Sequence, residues 1–296
     1  MGTAMARPWV DRHWRLLLSV VGIGLLLTVA LATPGGRAAA TGFLAQFRVQ
    51  QFAVITIDPQ DPAAAFASLD QLGTIQHPGS TTGGPDDRPS LRPADSVEAA
   101  AERTGIAVKT PTQLPAGVVA TPRVLTSPSG VVSFTLDRAK ATAYLAEQGE
   151  SGLLVPEALD GATLRVQIPA AVVLMYGDAA GQPSLLVAQA PSPTVDVSGG
   201  ASLADFRAFL LSIPGLPTDT VAQLRAIEDW TRTLPIPIPQ DEASSREVTV
   251  GGAVGVSIRD AQTRYGFVVW QRDGLLYAVA GEYGEQDLLA VAASLG

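Results

Sequence analysis

The longest uncharged apolar stretch of the chain runs from Leu16 to Ala32. About 20 apolar residues cross a bilayer as a helix, and about 17, the length of this stretch, is the short end of the range. Arginines precede it at positions 7, 12 and 15, and the helix-breaking sequence Pro-Gly-Gly follows at 34–36. Arginines collect on the cytoplasmic side of such segments. The pattern predicts a signal-anchor transmembrane helix at 16–32, with a cytoplasmic stub at 1–15 and the rest outside the cell membrane.

The same stretch also has features of a cleaved signal peptide, in which the arginines would form the basic N-terminal region. Small residues that suit a cleavage site occur at 30–32 (Ala-Leu-Ala) and at 38–40 (Ala-Ala-Ala). The apolar core of a signal peptide is usually about 7–15 residues, so this stretch is long for one. Both interpretations export the bulk of the chain.

The region after the apolar stretch, 33–95, has weak patterns. Apolar and polar residues alternate at 47–58 and predict a strand, and Asp61 followed by proline predicts the start of a short helix. Residues 73–95 are rich in Gly, Pro, Ser, Thr and Asp. Such a composition buries too little apolar surface to offset the entropy of ordering. We therefore interpret 73–95 as a flexible loop and 33–95 as a juxtamembrane region.

The remaining sequence, 96–296, alternates between helix and strand patterns. Ser96 to Gly105 predicts a helix with a serine cap and a terminal glycine. Residues 234–240 (LPIPIPQ) predict an extended, semi-rigid connector. Further elements are predicted as strands beginning at Ile106 and at 131–136, 163–168, 171–176 and 184–189, and as helices after Asp137, Ser202 and Thr218.

The clearest local signal lies near the end of the chain. Gly266–Gln271 and Leu275–Ala280 are apolar strands on either side of an Asp-Gly turn, which is the strongest short-range hairpin signal. An apolar helix is predicted at Gln286–Leu295. The sum is an α+β fold, a mostly antiparallel sheet with packed helices, preceded by one N-terminal transmembrane helix.

Composition and charge exclude several classes of function. The chain has no cysteine, so it forms no disulfide and no cysteine-ligated zinc site. Outside the N-terminal stub it has 17 basic and 27 acidic residues, a net charge of −10. Nucleic-acid binding needs a basic footprint, and anionic lipid attracts polybasic segments. The charge therefore argues against both partners.

Few residues carry the chemistry of an enzyme. Of the two histidines, His13 lies in the stub and His77 in the predicted loop. A catalytic triad or a two-histidine metal site needs a positioned imidazole. Lys140 falls among polar residues early in a predicted helix. We therefore predict that the protein is not an enzyme and has no cofactor.

The acidic residues show no catalytic or metal-binding spacing. Glu147/Glu150 and Glu282/Glu285 lie near predicted helix ends, where capping and solvation account for them. Oxygen ligands for Ca²⁺ are available near the predicted loop, without EF-hand spacing. These are Asp58, Asp61, Asp86 and Asp87.

Three residues are candidates for contact with a ligand or partner. Lys109 ends a predicted strand, next to Thr110 and Pro111. Trp270 and Tyr277 lie on the paired strands of the predicted hairpin. Packing in the core is the simpler expectation for the two aromatic residues, and the wall of a ligand groove is the alternative.

Three segments together resemble a known family. They are VKTPTQLPAGV (Val108–Val118), VVWQRDGLLYAVAG (Val268–Gly281) and DLLAVAASL (Asp287–Leu295). They resemble an exported domain of unknown function that follows the membrane helix of some bacterial anti-sigma factors, which is distantly similar to sigma-E regulatory periplasmic proteins and lipoprotein carriers. The resemblance covers roughly the last two-thirds of the chain.

The resemblance implies a membrane-tethered, extracytoplasmic regulatory or sensing module of the bacterial envelope that binds a protein partner in a sigma-factor system. The carrier similarity implies an alternative, a binder of lipid or another apolar ligand in a sheet-lined groove. Anti-sigma factors hold their sigma factor with a cytoplasmic helical domain. Only residues 1–15 precede the apolar stretch here, so this chain is expected to be an exported accessory component.

Overall fold

The computed structural model describes residues 51–57, 69–76, 91–214, 218–228, 230, 232–239 and 243–295. The fold is α+β, with mostly antiparallel sheets and packed helices. The predicted transmembrane helix, the cytoplasmic stub and the candidate cleavage sites lie outside the described residues. Within those residues, no helix is long and apolar enough to cross a membrane.

The strands are β1 (Gln51–Ile57), β2 (Gly73–Gln76), β3 (Arg92–Ala94), β4 (Arg123–Ser127), β5 (Gly130–Leu136), β6 (Thr163–Ile168), β7 (Ala171–Gly177), β8 (Pro183–Pro191), β9 (Thr194–Ser198), β10 (Thr233–Pro239), β11 (Ala243–Val250), β12 (Ala253–Asp260), β13 (Gly266–Arg272) and β14 (Leu275–Gly281). The helices are α1 (Val97–Thr104), α2 (Arg138–Glu147), α3 (Leu203–Leu210), α4 (Thr218–Ala226) and α5 (Glu285–Ala293), with a 3₁₀ turn at Glu157–Leu159.

The larger sheet has eight strands in the order β11-β12-β13-β14-β8-β7-β4-β3. All neighbouring pairs in it are antiparallel. Alternate side chains of its strands face α1 and α5 and form a core with them. This core contains Val172, Leu174, Tyr176, Leu185, Val187, Val268, Trp270, Tyr277, Val279, Leu288, Val291 and Leu295.

The smaller sheet has four strands in the order β2-β5-β6-β9. One of its faces packs on α2 and α3. The buried residues of this second core are Leu72, Phe134, Leu136, Ala141, Leu145, Leu159, Leu164, Val166, Leu203, Phe206, Phe209, Leu210 and others around them. Phe134 and Phe206 meet edge to face, with ring centroids 6.2 Å apart.

Three short connections join the two sheets directly. The chain passes from β4 to β5, from β6 to β7 and from β8 to β9, and each crossing contains a proline, at 128, 169 and 193. Proline cannot donate to a sheet ladder, so it interrupts pairing there. The order β4-β7-β8 in one sheet continues as β5-β6-β9 in the other. Each strand of the first set is therefore joined along the chain to its counterpart in the second set, and the interruptions occur at the boundary between the two sheets.

A parallel ribbon of β1 and β10 covers part of the other face of the larger sheet. Ile236 and Ile238 of β10 pack on Val256 and Phe267. On its far side the ribbon meets α4 and Trp230, with Ile55 in the contact. The prediction of an extended connector at 234–240 is correct in conformation, but the segment is a paired strand, because β1 offers it a partner that only tertiary structure reveals.

The prediction of a flexible loop at 73–95 is wrong for two described pieces. Gly73–Gln76 forms β2 and pairs with β5, and Arg92–Ala94 forms β3 and pairs with β4. Both pieces are short and polar, and long-range partners satisfy their backbone groups where composition alone predicts no order. Strands from the juxtamembrane region thus belong to the same sheets as the domain at 96–296.

One predicted strand is absent and several were not predicted. The chain from Ile106 to Thr110 is irregular, although Ile106 is buried. The strands β4, β9, β11 and β12 carry no strong signal of their own, since β propensity depends on the neighbours that a strand packs against. The predicted strands at 131–136, 163–168, 171–176 and 184–189 are confirmed.

The predicted caps and hairpin are confirmed. Ser96 caps α1 by accepting a hydrogen bond from the Ala99 amide, and Gly105 ends the helix with a positive φ of 72°. The Asp273-Gly274 turn has φ values of 52° and 80°, as a two-residue hairpin turn with the twist of its strands requires.

Candidate functional site

Trp270 and Tyr277 lie directly opposite each other on β13 and β14. Their rings stack with centroids 5.3 Å apart and an angle of 12° between the planes. Trp270 is 0% exposed and Tyr277 is 3% exposed. The pair therefore belongs to the core of the larger sheet, and of the two expectations for these residues the structure favours packing.

Gly255 on β12 is the register partner of Trp270, and the absence of a Cβ there allows the close approach of β13. A Cβ atom at position 255 would lie 2.5 Å from the Val269 carbonyl oxygen and 2.8 Å from the Trp270 Cβ. A glycine is therefore required beneath the tryptophan. Within the described residues the indole Nε1 has no hydrogen-bond partner.

Lys109 is exposed, and its backbone is held by a buried side chain. The Gln189 Oε1 accepts a hydrogen bond from the Lys109 amide at 2.8 Å, and the Gln189 Nε2 donates to the Lys109 carbonyl at 2.6 Å. Gln189 is 1% exposed and lies opposite Tyr277 on the neighbouring strand. Its side-chain amide thus pairs with Lys109 as a neighbouring strand would.

The three sequence candidates are therefore neighbours in one structural cluster. Lys109 contacts Gln189, Gln189 lies beside Tyr277, and Tyr277 stacks on Trp270. The Arg272 guanidinium lies 5.7 Å from the Tyr277 ring centroid and donates to the Leu295 carbonyl at 2.6 Å. Gln189 and Arg272 were missed from the sequence, although a single glutamine among the apolar residues of 185–190 was a visible signal.

The three segments that carry the family resemblance also meet at this cluster. Val108, Leu114 and Val118 pack on the core that contains Trp270 and the residues of α5. The Gln113 amide donates to the Ser294 Oγ at 3.2 Å, at the end of α5. The three segments therefore share one core, which gives the cluster a structural role.

The acidic residues singled out in the sequence are exposed or bonded to arginine in the described structure. Glu147 and Glu150 are exposed. Glu285 accepts hydrogen bonds from the Arg246 Nε at 2.9 and 3.0 Å, which links β11 to the first turn of α5. These bonds from Arg246 hold the pKa of Glu285 below its usual value. Lys140 is exposed on α2.

The candidate histidines and calcium ligands lie outside the described residues. These are His13, His77, Asp58, Asp61, Asp86 and Asp87. Among the residues that the structure describes, no group of three or more His, Cys, Asp or Glu side chains is placed to hold a metal ion.

The smaller sheet presents a polar surface on the side opposite α2 and α3. We call this surface the polar face. Its rows follow the strand register, one row being Gln76, Ser133, Arg165 and Asp196. The Thr135 and Thr163 hydroxyls of the next row share a hydrogen bond of 2.8 Å. The polar face comprises Thr74, Gln76, Val131, Ser133, Thr135, Thr163, Arg165, Gln167, Thr194, Asp196 and Ser198.

The larger sheet has a different surface on the side away from α1 and α5, next to the β1–β10 ribbon. Here apolar side chains of β7, β8 and β14 are neighbours in register and remain partly exposed. We call this surface the apolar strip. It comprises Met175, Leu186, Ala188, Ala190, Leu276 and Ala278. Three of its six residues are alanines, which contribute little apolar surface.

Comparison with protein families, with curated proteins and with solved structures finds no match. The candidate surfaces are thus defined by geometry: the polar face, the apolar strip and the buried cluster around Trp270.

Proposed function

We propose that this protein is a membrane-tethered, extracytoplasmic regulatory or sensing module that binds a protein partner of the cell envelope. The apolar stretch Leu16–Ala32 and the arginines before it support the tether and its orientation. The net charge of −10 outside the stub supports a partner other than nucleic acid. The family resemblance supports a sigma-factor or envelope-stress system as the setting.

The polar face is the observation that carries this proposal. It extends across four strands and presents hydroxyl, amide and charged groups, while the opposite side of the same sheet is buried under α2 and α3. Antiparallel sheets commonly leave one face to solvent, and that face is available for contacts. Gln76, Thr74, Arg165, Gln167 and Asp196 on it are exposed.

The composition of the polar face suits a protein partner. The hydroxyls of its serine and threonine side chains both donate and accept hydrogen bonds. Arg165 contributes the residue type most enriched among charged groups at interfaces. Val131, 41% exposed, adds an apolar contact between the polar groups. The face therefore offers the mixed polar and apolar chemistry of a transient interface.

We propose further that the exported part is not an enzyme. Nucleophile-and-base chemistry needs activated groups within about 3 Å of each other. The acidic pairs and lysines described above are exposed or engaged in structural contacts. This supports a binding role over a catalytic one.

The apolar strip supports a second candidate, a carrier-like binder of lipid or another apolar ligand. Partly exposed apolar side chains in register form a surface that an acyl chain could cover. Alanines at three of its six positions offer an acyl chain little apolar contact, whereas small-molecule sites bury most of their ligand's surface. For this reason we favour the protein partner.

Photo-crosslinking in cells of the source organism tests the proposed function. A photoreactive amino acid replaces Asp196 on the polar face, and in a matched control it replaces Lys140, exposed on α2. We expect a discrete adduct with one protein from position 196 and none from position 140. Absence of an adduct from position 196, together with lipid that co-purifies with the chain and is lost in Ala188→Phe, would replace the partner proposal with the carrier alternative.

A further inference from the structure

The free edges of the sheets differ in how they are protected. An exposed edge strand is a template for pairing with another chain, and proteins block it with short strands, prolines or covering groups. In the described part of the structure, β2 has four residues, β3 has three with a central proline, and β9 has five and follows Pro193. These edges are too short or too interrupted to accept a long strand.

The parallel ribbon is protected along β10 and at one position of β1. The Gln51 amide donates to the Arg232 carbonyl. In a parallel ladder the residues that bond to the neighbouring strand alternate, so even-numbered residues of β10 bond to β1. Positions 235, 237 and 239 of β10 therefore face away from β1, and all three are prolines without an N–H. On β1, the outward Thr56 amide donates to the Gln223 Oε1 at 2.9 Å, so a side chain occupies that position.

Unlike these edges, β11 is neither short nor interrupted by proline, and the protection it carries is charge, at Arg246 and Glu247. It has eight residues, with no proline and no glycine, and its residues 244–247 are all exposed. It joins β12 through a two-residue turn, Gly251-Gly252, in which both φ values are positive. In such hairpins the residues next to the turn, Val250 and Ala253, form a hydrogen-bonded pair.

That pattern determines which backbone groups of β11 point outward. Hydrogen-bonded and non-hydrogen-bonded pairs alternate along an antiparallel ladder. The N–H and C=O groups of Ser245, Glu247 and Thr249 therefore point away from β12. Within the described residues these amides have no hydrogen-bond partner. They present a row of donors and acceptors that a ninth strand would satisfy.

We propose that β11 is a strand-addition site for an extended, basic segment of a partner protein. Strand addition to an open sheet edge is a common way in which folded domains bind peptides. This inference rests on the proposed partner-binding function, but it uses a surface separate from the polar face.

Charge and side-chain register give the chemistry of the added segment. The Glu247 carboxylate forms no ion pair with the described residues, whereas Arg246 on the other face is neutralised by Glu285. An incoming strand with lysine or arginine opposite Glu247 would supply the missing charge.

The same register argues against a second copy of this chain as the occupant. Two β11 strands could pair antiparallel through their outward backbone groups. Two registers of this pairing overlap the greatest number of residues. The register centred on Glu247 places two unpaired carboxylates directly opposite each other, and the register centred on Arg246 places two guanidinium groups opposite each other, each already paired with its own Glu285. Like charges in that position are destabilising.

Amide hydrogen exchange on the full chain in detergent micelles tests the proposal. The probe is a short blocked peptide in which lysine alternates with valine and threonine, and the comparison peptide has glutamate in place of lysine. We expect saturating lysine peptide to slow exchange at Ser245, Glu247 and Thr249 about tenfold, the effect of about one additional net hydrogen bond. The glutamate peptide should bind at least about tenfold more weakly.

Two variants distinguish strand addition from side-chain docking. Glu247→Pro removes an outward N–H without removing a bond to β12, and it should abolish peptide binding. Glu247→Lys keeps the backbone, so it should fold even if the proline variant does not, and it should reverse the preference toward the glutamate peptide. Arg165→Glu on the polar face is the matched control and should leave binding unchanged.

Lack of binding of both peptides to the wild-type chain would overturn the proposal, as would protection confined to residues away from β11. Protection of the same amides that rises with protein concentration in the absence of peptide would assign the edge to a second copy instead. Each of these results leaves the crosslink from position 196 unaffected, so failure here is separate from failure of the proposed function.

Discussion

At the scale of single residues, the core of the larger sheet depends on Trp270 and on the glycine opposite it. Trp270 is the register partner of Gly255 and stacks on Tyr277. Gln189 completes the cluster by forming both of its hydrogen bonds with the backbone of Lys109. These residues hold the sheet, α5 and the segment after α1 together.

Gly255→Ala should destabilise the protein by about 1–3 kcal/mol, the usual effect of overpacking a core. The new methyl group would lie within 3 Å of the Val269 carbonyl oxygen and the Trp270 Cβ, and both belong to a paired strand that cannot move freely. Chemical denaturation measures the free energy of unfolding.

Gly152→Ala is the matched control for that substitution. No atom lies within 4 Å of a Cβ at position 152, and its φ is outside the left-handed region, so a change of at most about 0.5 kcal/mol is expected. Equal effects of the two substitutions would contradict the requirement for a glycine where β12 approaches β13.

At the scale of elements, reciprocal contacts between side chains and chain ends hold the helices in position. The Arg207 guanidinium of α3 donates to the Arg225 and Ile227 carbonyls at the end of α4, at 3.1 and 3.3 Å. In return, the Arg225 guanidinium donates to the Leu211 carbonyl at the end of α3, at 3.1 Å. Cations at helix C-termini are favourable because they complement the helix dipole.

The Arg246–Glu285 pair links β11 to α5 and should give a pH dependence of stability. Arg246 lowers the pKa of Glu285 in the folded protein from its ordinary 4.5, so the unfolded chain takes up this proton first as the pH falls. The contribution of the pair is complete above pH 4.5 and is lost as the pH falls through the lowered pKa.

Glu285→Gln should therefore differ from the wild type in unfolding free energy at neutral pH, and this difference should shrink in acid. Urea denaturation over a pH series provides the measurement. The control is Glu150→Gln, an exposed residue whose side chain forms no ion pair within the described residues. A difference for Glu285→Gln that stays constant down to strongly acidic pH would contradict a stabilising ion pair.

Elements with local signals were predictable from the sequence, and elements that depend on distant partners were not. The α1 caps and the Asp273-Gly274 hairpin are set by residues next to each other in the chain. By contrast, β2, β3 and β10 acquire order only from strands far away in sequence. The partnership of Gln189 with Lys109 spans 80 positions, so no spacing rule could reveal it.

At the scale of the whole molecule, the structure combines a bent pair of sheets with two surfaces of opposite character. The polar face lies on the smaller sheet and the apolar strip on the larger one. The β1–β10 ribbon places the start of the described chain against the larger sheet, close to β12. We propose that the membrane tether at Leu16–Ala32 holds this assembly outside the membrane, with the polar face toward its partner.

Single-cysteine labelling with a membrane-impermeant maleimide tests this account most directly, because the chain has no cysteine of its own. Lys140→Cys places the thiol on α2, and Gln167→Cys places it on the polar face. We expect Lys140→Cys to be labelled in intact cells, and Gln167→Cys to be labelled only after purification. Labelling of Lys140→Cys only after lysis would contradict export, and equal labelling of both variants in intact cells would contradict a partner on the polar face.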